Sequence, residues 1–453
     1  MNSNRTTKSD ETGYSLVELL VAMVITAIVI AGAYALLQSG TDFATEQRGR
    51  IQMQESARGA FDVLTDFSRS AGFGGLPVDI AGLEMPTGVA LEVRNNLSNE
   101  KILDGSSSTE VPDVLENTDV LILRGSFDDP NVYRFSTDPK TAFILDSTDD
   151  TQGDLYLFET LQNGQTQDLS QLKETVDDAK GSGASTSVPE ALLVSSSFDP
   201  EVYCILELDP DRSDTSQSDR IKLRVLMPSL VATRTANQYQ TLCPGKVFPE
   251  TLKQRLQETN HGDGDIFALG TLSVIQERRF YIRPTEDSEN KHEVLPPLPM
   301  LSSARVLPGT ETPYRNDNDN LKDDVATGLI DLQIELGFDT QNGGDWASGA
   351  SILEVPDGTV ADDWLFNHPS DDETKSPWAN RSVTDTQPLF QYLRIRVVAL
   401  TDQVDRRHLA TELERVADHV YEDGHAFNQS PYTALRRVEL VTTLDIRNLK
   451  RYR

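Results

Sequence analysis

Residues 13–23 read GYSLVELLVAM, and the run they open continues without a charge, proline, asparagine or aspartate from Leu19 to Leu37. At about 1.5 Å per residue, a stretch of that length is just long enough to cross a hydrocarbon layer of ~30 Å as a helix. Glu18 stands at the mouth of the run. A carboxylate near an apolar membrane core costs roughly 2.5 kcal/mol or more on insertion scales, so a neutralising partner is expected for it. An ordinary secretory signal places a shorter apolar core ahead of its cleavage point. Here the conspicuous break, Gly13 before Tyr14 and Ser15, precedes the apolar run, and cleavage there leaves the helix on the mature chain.

The helical pattern continues past the apolar run. Ala57, Ala60, Phe61, Leu64 and Phe67 recur at spacings of three and four, while Arg50, Glu55, Arg58, Asp62 and Asp66 fill much of the remainder. The first proline of the chain is Pro77. One helix from about Tyr14 to Ser70 is expected, on the order of 85 Å long. Its first half, about residues 19–37, is the transmembrane part, and its second half is amphipathic and packs on a head. Gly32, Gly40 and Gly49 are points of close packing or bending within it, and the glycines of SAGFGG, residues 70–75, end it.

The head, residues 71–453, is longer than a single domain usually needs and has room for two subdomains. Its apolar segments are short and rich in β-branched residues: 119–123, 142–145, 155–158, 202–208, 221–227, 271–282, 328–338, 392–400 and 437–446, separated by Gly, Asp, Asn, Ser and Pro clusters. The expected class is α+β: a long N-terminal helix packed on a large, mostly antiparallel β-sheet head with insertions. Residues 406–421 read as a short helix.

The segment around Gly13 resembles the type III signal of type IV prepilins and pseudopilins. The resemblance makes residues 1–13 a leader peptide and residues 14–70 the pilin helix. It implies cleavage by prepilin peptidase between Gly13 and Tyr14, N-methylation of Tyr14, and pairing of Glu18, fifth in the mature chain, with the N-terminal amine of a neighbouring subunit. Tyr14 stands where the family usually has phenylalanine, and Arg5 and Lys8 of the leader are offset by Asp10 and Glu11. Three further blocks, GLIDLQIELGFDT (328–340), FQYLRIRVVALTD (390–402) and YTALRRVELVTTLDIRNLKRYR (432–453), look like those of the PilW family of minor pilins, in that family's order. The last carries Arg436 and Arg437, Thr442 and Thr443, then Arg447 and Asn448. A minor pilin of this family would co-assemble into the type IV pilus and help to prime or cap it, in twitching motility and adhesion. The implied partners are other major and minor pilins, prepilin peptidase and the inner-membrane assembly platform. The implied location is the inner membrane, head in the periplasm, and then the pilus at the cell surface. Two alternatives share the signal: a type II secretion pseudopilin at the pseudopilus tip, and a tip adhesin that binds a surface or host ligand through its enlarged head.

A net charge of −31, from 72 acidic and 41 basic residues, argues against a nucleic-acid-binding head. Acidic loops such as NDNDNLKDD (316–324) keep a surface solvated; the alternative is calcium, with Asp317, Asp319, Asp323 and Asp324 close together but without the glycine and distal glutamate of a helix-loop-helix site. No cofactor or other metal is expected. Cys204 and Cys243 suit one disulfide in an exported head, with two buried thiols as the alternative. His261, His292, His368, His408, His419 and His425 form no HExxH, and neither G-x-S-x-G nor GxxxxGK[ST] occurs, so an enzyme is not expected. All three tryptophans, Trp346, Trp364 and Trp378, fall in the loop-rich stretch 341–388, where they either staple an insertion to the head or form a docking surface.

Overall fold

A single α-helix, α1 (Leu16–Ser70), carries the stretch that the sequence assigns to one helix. The computed structural model describes residues 15–74, 90–97, 100–103, 106, 110–129, 131–135, 143–145, 152–161, 164–180, 190–196, 203–226, 270–285, 298–308, 311, 321–339, 364–365, 389–401, 412–417, 419–421, 425–429 and 432–445. The chain divides into two units, residues 1–52 and 53–453. In the first, the apolar side chains of α1 are exposed, with Leu16 at 79 %, Ile28 at 66 % and Leu36 at 76 %. Gly32 and Gly40 do not break the helix, and a Cβ built on either meets nothing within 4 Å.

In the second unit α1 buries one stripe. Met53, Ala57, Ala60 and Leu64 are inside, Phe61, Val63 and Phe67 flank them half-buried, and Glu55, Arg58, Asp62 and Asp66 face solvent. Spacings of four and three residues put the buried set on one helix face, as the sequence pattern requires. The helix stops where Gly72 and Gly74 adopt positive φ of 75° and 100°, and the Gly72 N–H donates to the Arg124 carbonyl at 2.9 Å.

The stripe packs on two antiparallel sheets. The larger contains β1 (Leu91–Leu97), β2 (Thr118–Gly125), β3 (Tyr133–Phe135), β4 (Phe143–Leu145), β5 (Gln152–Phe158), β6 (Glu190–Ser196), β7 (Tyr203–Asp214), β8 (Arg220–Leu226), β9 (Gly270–Arg283), β10 (Met300–Val306) and β11 (Asp323–Thr327). Its order is β1-β2-β9-β6-β7-β8-β5-β4, with β10 and β3 also on β9 and β11 on β10. The long strand β9 is shared: residues 270–275 pair with β6, and residues 276–280 pair with β2. One face of this sheet, including Leu121, Leu123, Leu193, Phe280 and Ile282, joins the α1 stripe in one core. On its other face, Leu192, Val194, Leu206 and Leu272 form a separate core with α2 (Ser170–Lys180), whose Leu172 and Val176 point inward.

The smaller sheet has the order β13-β12-β14-β17, from β12 (Leu329–Asp339), β13 (Trp364–Leu365), β14 (Leu389–Leu400) and β17 (Arg437–Asp445). The three C-terminal blocks recognised in the sequence are therefore neighbours in one sheet. Their inward residues, Leu332, Ile334 and Leu336 on β12 and Leu393, Ile395 and Val397 on β14, share the core of the α1 stripe. The helix expected over 406–421 is corrected within its described part: β15 (Arg415–Val416) and β16 (His419–Val420) form a hairpin, with Ala417 at a positive φ of 52° in its turn. Val416 and Tyr421 alternate inward to cover Ile330, Val398 and Leu400 on the outer face of the smaller sheet, and that packing decides against helix.

Leu64, fully buried where the helix meets both sheets, is expected to lose about 2–5 kcal/mol of head stability on change to Ala. Arg58→Ala on the exposed side should stay within about 0.5 kcal/mol. Denaturant unfolding of the full-length protein in detergent micelles measures both.

Candidate assembly site

The first turn of α1 is closed by a reciprocal pair of hydrogen bonds. The Glu18 N–H donates to Ser15 Oγ at 3.1 Å, and the Ser15 N–H donates to Glu18 Oε2 at 3.1 Å. This is a capping box, which satisfies two backbone donors that a helix start leaves orphaned. The Leu19 N–H reaches the Ser15 carbonyl at 3.2 Å and begins the helical ladder. One carboxylate oxygen of Glu18 is thus oriented by its own backbone, and among the described residues no hydrogen bond reaches Oε1. The group is an exposed anion beside an exposed apolar helix surface, an arrangement that can accept an ammonium. Ser15 was overlooked in the sequence, although S-x-x-E ahead of an apolar run is a capping signature.

The head holds its charges in a different way. Arg124 donates from Nε to Glu277 Oε2 at 2.5 Å and from Nη2 to Glu92 Oε2 at 2.7 Å. Arg279 donates from Nε to Glu277 Oε1 at 2.7 Å, from Nη1 to Glu311 Oε2 at 2.6 Å and to the Ile102 carbonyl at 2.9 Å. Arg94 adds a contact to Glu311 at 3.0 Å. Burial alone would lower both arginine pKa values, but Glu277 with Glu92 or Glu311 raises them, so Arg124 and Arg279 stay charged. The network ties β1, β2 and β9 together.

A second buried polar row runs along β12, on the face opposite its apolar residues. Asp331, Gln333 and Glu335 are all fully buried. Glu335 pairs with Arg394 at 2.7 Å and with Arg396, whose Nη1 reaches Glu439 at 2.9 Å. Asp331 accepts from Gln333 Nε2 at 2.9 Å and from the Tyr421 hydroxyl at 2.5 Å, and meets His419 Nδ1 at 2.9 Å. The alternation in IDLQIEL shows the two faces of this strand but not that its polar face is covered.

Of the residues singled out in the sequence, Glu18 is placed at the start of α1, whereas Gly13, Tyr14, Cys243, Asp317 and Asp319 lie outside the described residues. Cys204 sits on β7 in register with Val194; with Cys243 outside, the pairing of the two is not described. Trp364 begins β13, and Trp346 and Trp378 lie outside. Asp324 is committed to protein donors: Arg283 reaches it from Nε and Nη2 at 2.9 and 2.8 Å, and Ser302 Oγ at 2.6 Å. Although burial acts to raise it, those hydrogen bonds hold its carboxyl below the usual carboxylate range. Among the described residues no three His, Cys, Asp or Glu side chains are grouped to hold a metal ion. His419 and His425 come together, with ring centroids 6.0 Å apart, while the other four histidines lie outside.

The family pattern described as the prokaryotic N-terminal methylation motif matches residues 8–34. That interval contains Gly13, Tyr14, Glu18 and most of the apolar run. Among solved structures, a type IV-like pilin from Thermus thermophilus aligns over 62 % of this chain and 95 % of its own at 10 % identity, with a TM-score of 0.17. No curated protein matches the sequence. α1 is long and apolar enough to cross a membrane. The chain thus carries a prokaryotic N-terminal methylation motif at the start of an apolar helix, and an antiparallel β head follows it in sequence.

Two substitutions probe the two kinds of polar contact. Ser15→Ala removes the cap and should raise hydrogen exchange over the first turn of α1, equivalent to about 0.5–2 kcal/mol, in micelle-bound protein. Glu277→Gln leaves two buried guanidinium groups without their shared anion and should cost about 3–5 kcal/mol in denaturant unfolding.

Proposed function

We propose that the protein is a minor pilin that co-assembles through α1 into a type IV pilus, where it primes or caps the filament. The observation that carries this reading is the coincidence, within residues 8–34, of the methylation motif, the glycine before the apolar run and a glutamate whose charge is unmatched within its own helix. In this proposal prepilin peptidase cuts between Gly13 and Tyr14, Tyr14 is N-methylated, and the liberated amine of one subunit meets Glu18 of the next. Two opposite charges among apolar helices are tolerable when they meet. The Ser15–Glu18 box favours such a meeting, because it fixes one carboxylate oxygen and leaves the other for the ammonium.

The head belongs to the same proposal. Residues 1–13 are the leader, 14–70 the pilin helix and 71–453 a head that is periplasmic before assembly and at the cell surface after it. The likeness of the three C-terminal blocks to the PilW family favours a pilus over a secretion pseudopilus, and their union in one sheet on the α1 stripe is consistent with a common structural role. The work proposed is architectural and not catalytic. Partners are other pilins, prepilin peptidase and the inner-membrane assembly platform, and the Cys204–Cys243 bridge is part of the exported head.

Mass spectrometry of the protein from membranes and sheared filaments is expected to show a mature terminus at Tyr14 carrying one added methyl group. Glu18→Ala should reduce recovery in filaments at least tenfold while membrane levels persist, and deletion should abolish surface pili and leave protein secretion intact. A native chain that retains residues 1–13, or undiminished incorporation of Glu18→Ala, overturns the proposal; loss of secretion with normal pili assigns the protein to a pseudopilus instead.

A further inference from the structure

The smaller sheet ends at β17, which pairs with β14 along one side; among the described residues no strand lies along its other side. A sheet edge presents a row of backbone N–H and C=O groups to any chain that can extend beside it, and folds blunt such edges with short strands, bulges or charges. The other edges described in the two sheets are blunted in these ways. β3, β4 and β13 are three, three and two residues long. β1 is broken between Arg94 and Leu97, with Asn96 at a positive φ of 45°. β11 opens on Asp323 and Asp324, and its register against β10 shifts.

β17 is built differently. Its nine residues, RVELVTTLD, follow β14 in unbroken register, from Arg437 opposite Leu400 to Asp445 opposite Tyr392, and residues 440–444 carry no charge. Val438 and Leu440 pack on the α1 core yet are only half-buried, and Val441, which alternation puts on the outer face, is 47 % exposed. The apolar core therefore reaches the edge of the sheet.

We propose that this edge pairs with the β17 edge of a second copy of the chain, antiparallel about a two-fold axis at Val441, so that the two smaller sheets join into one. The side chains select both the occupant and the register. With the axis at Val441, every residue of the strand meets a compatible one. On the core face Val438 opposes Leu444 and Leu440 opposes Thr442. On the outer face Val441 opposes its own copy, Glu439 opposes Thr443, and Arg437 meets Asp445 at both ends. Arg437 also donates to two neutral acceptors, Asn428 Oδ1 at 3.0 Å and the Phe427 carbonyl, which fix it at that end of the strand. An axis at residue 442 would set Glu439 against Asp445, two like charges, and an axis at 440 would leave Asp445 beyond the pairing. An axis between two residues would put core-facing positions opposite outward ones. The contact is isologous, so each pair occurs twice. Its exposed charges choose partner and register more than they add strength. The backbone ladder and the covering of Val438, Leu440 and Val441 supply the attraction. The inference stands apart from the filament reading, since it concerns the head alone.

Disulfide trapping in the full-length protein in micelles is the test, because association through α1 brings copies together without selecting positions on β17. Under mild oxidation Val441→Cys is expected to link residue 441 of one copy to residue 441 of the other, identified by mass spectrometry of the joined peptide. Its yield should exceed that of Thr443→Cys, which faces residue 439 and not its own copy, by about tenfold or more. Adding Asp445→Arg to Val441→Cys sets two cations opposite each other and should lower the yield about fivefold or more at low salt. If Val441→Cys fails to fold, the Glu439→Cys, Thr443→Cys double variant should link 439 of one copy to 443 of the other. Equal trapping at 441 and 443, no trapping at either, a yield indifferent to Asp445→Arg, or a link from Val441→Cys in cell membranes to a different protein in place of a second copy overturns the proposal.

Discussion

An apolar helix surface has to be buried against something, and α1 meets this requirement in two ways along its length. From Met53 onward the chain supplies the cover itself. Ala57 and Ala60 are small enough to let the helix backbone lie close to the sheets, and Leu64 fills the space between them. From Leu16 to Leu37 the side chains are exposed. Burying them is worth roughly 25 cal/mol per Å² of apolar surface, and only a membrane or other helices of similar character offer that gain. The same helix thus carries apolar residues that the head covers in one part and apolar residues that are exposed in the other.

The head adds a polar interior to this arrangement. Arg124, Arg279 and Arg394 are each at most 6 % exposed, and they meet Glu277, Glu311 and Glu335 inside the fold. Such networks are weak evidence for stability, because desolvation of each ion offsets most of the attraction. Their geometric consequence is firmer. Arg124 and Glu277 lock β2 to β9, and Glu335 with Arg394 and Arg396 locks β12 to β14, each in a register where a slip of one residue would strand a charge.

Much of this was legible in the sequence, for physical reasons that differ from element to element. The amphipathic stripe Ala57, Ala60, Leu64 is read from spacing alone, and each of the nine β-rich segments overlaps a strand, because short apolar runs between turn residues have few alternatives. The helix α2 was missed: SQLKETVDDAK shows only Leu172, Val176 and Ala179 on its inner face, too few apolar residues to stand out in a polar stretch. Residues 412–421 were misread because Val416 and Tyr421 answer to the sheet beneath them and not to local helix propensity. Asp331 and Glu335 were legible as the polar face of a strand, but their partners come from chain that returns 59 to 90 residues later, and no local pattern reports that. Glu18 stood out at once, since a lone carboxylate at the mouth of an apolar run has few neutral explanations.

The capping box supplies one such explanation, and magnitudes decide how far it reaches. Closing the first turn with Ser15 needs an acceptor at the position of Glu18, but a glutamine serves a capping box as well as a glutamate. What the negative charge adds is its interaction with the helix dipole, typically 0.3–1 kcal/mol. Against that stands a cost of roughly 2.5 kcal/mol or more for placing a carboxylate in an apolar membrane segment. The dipole does not close that gap. The ammonium proposed above would supply what the helix does not, and the capping box, by directing one oxygen of Glu18 to the Ser15 N–H, leaves the other as the place where it would be met.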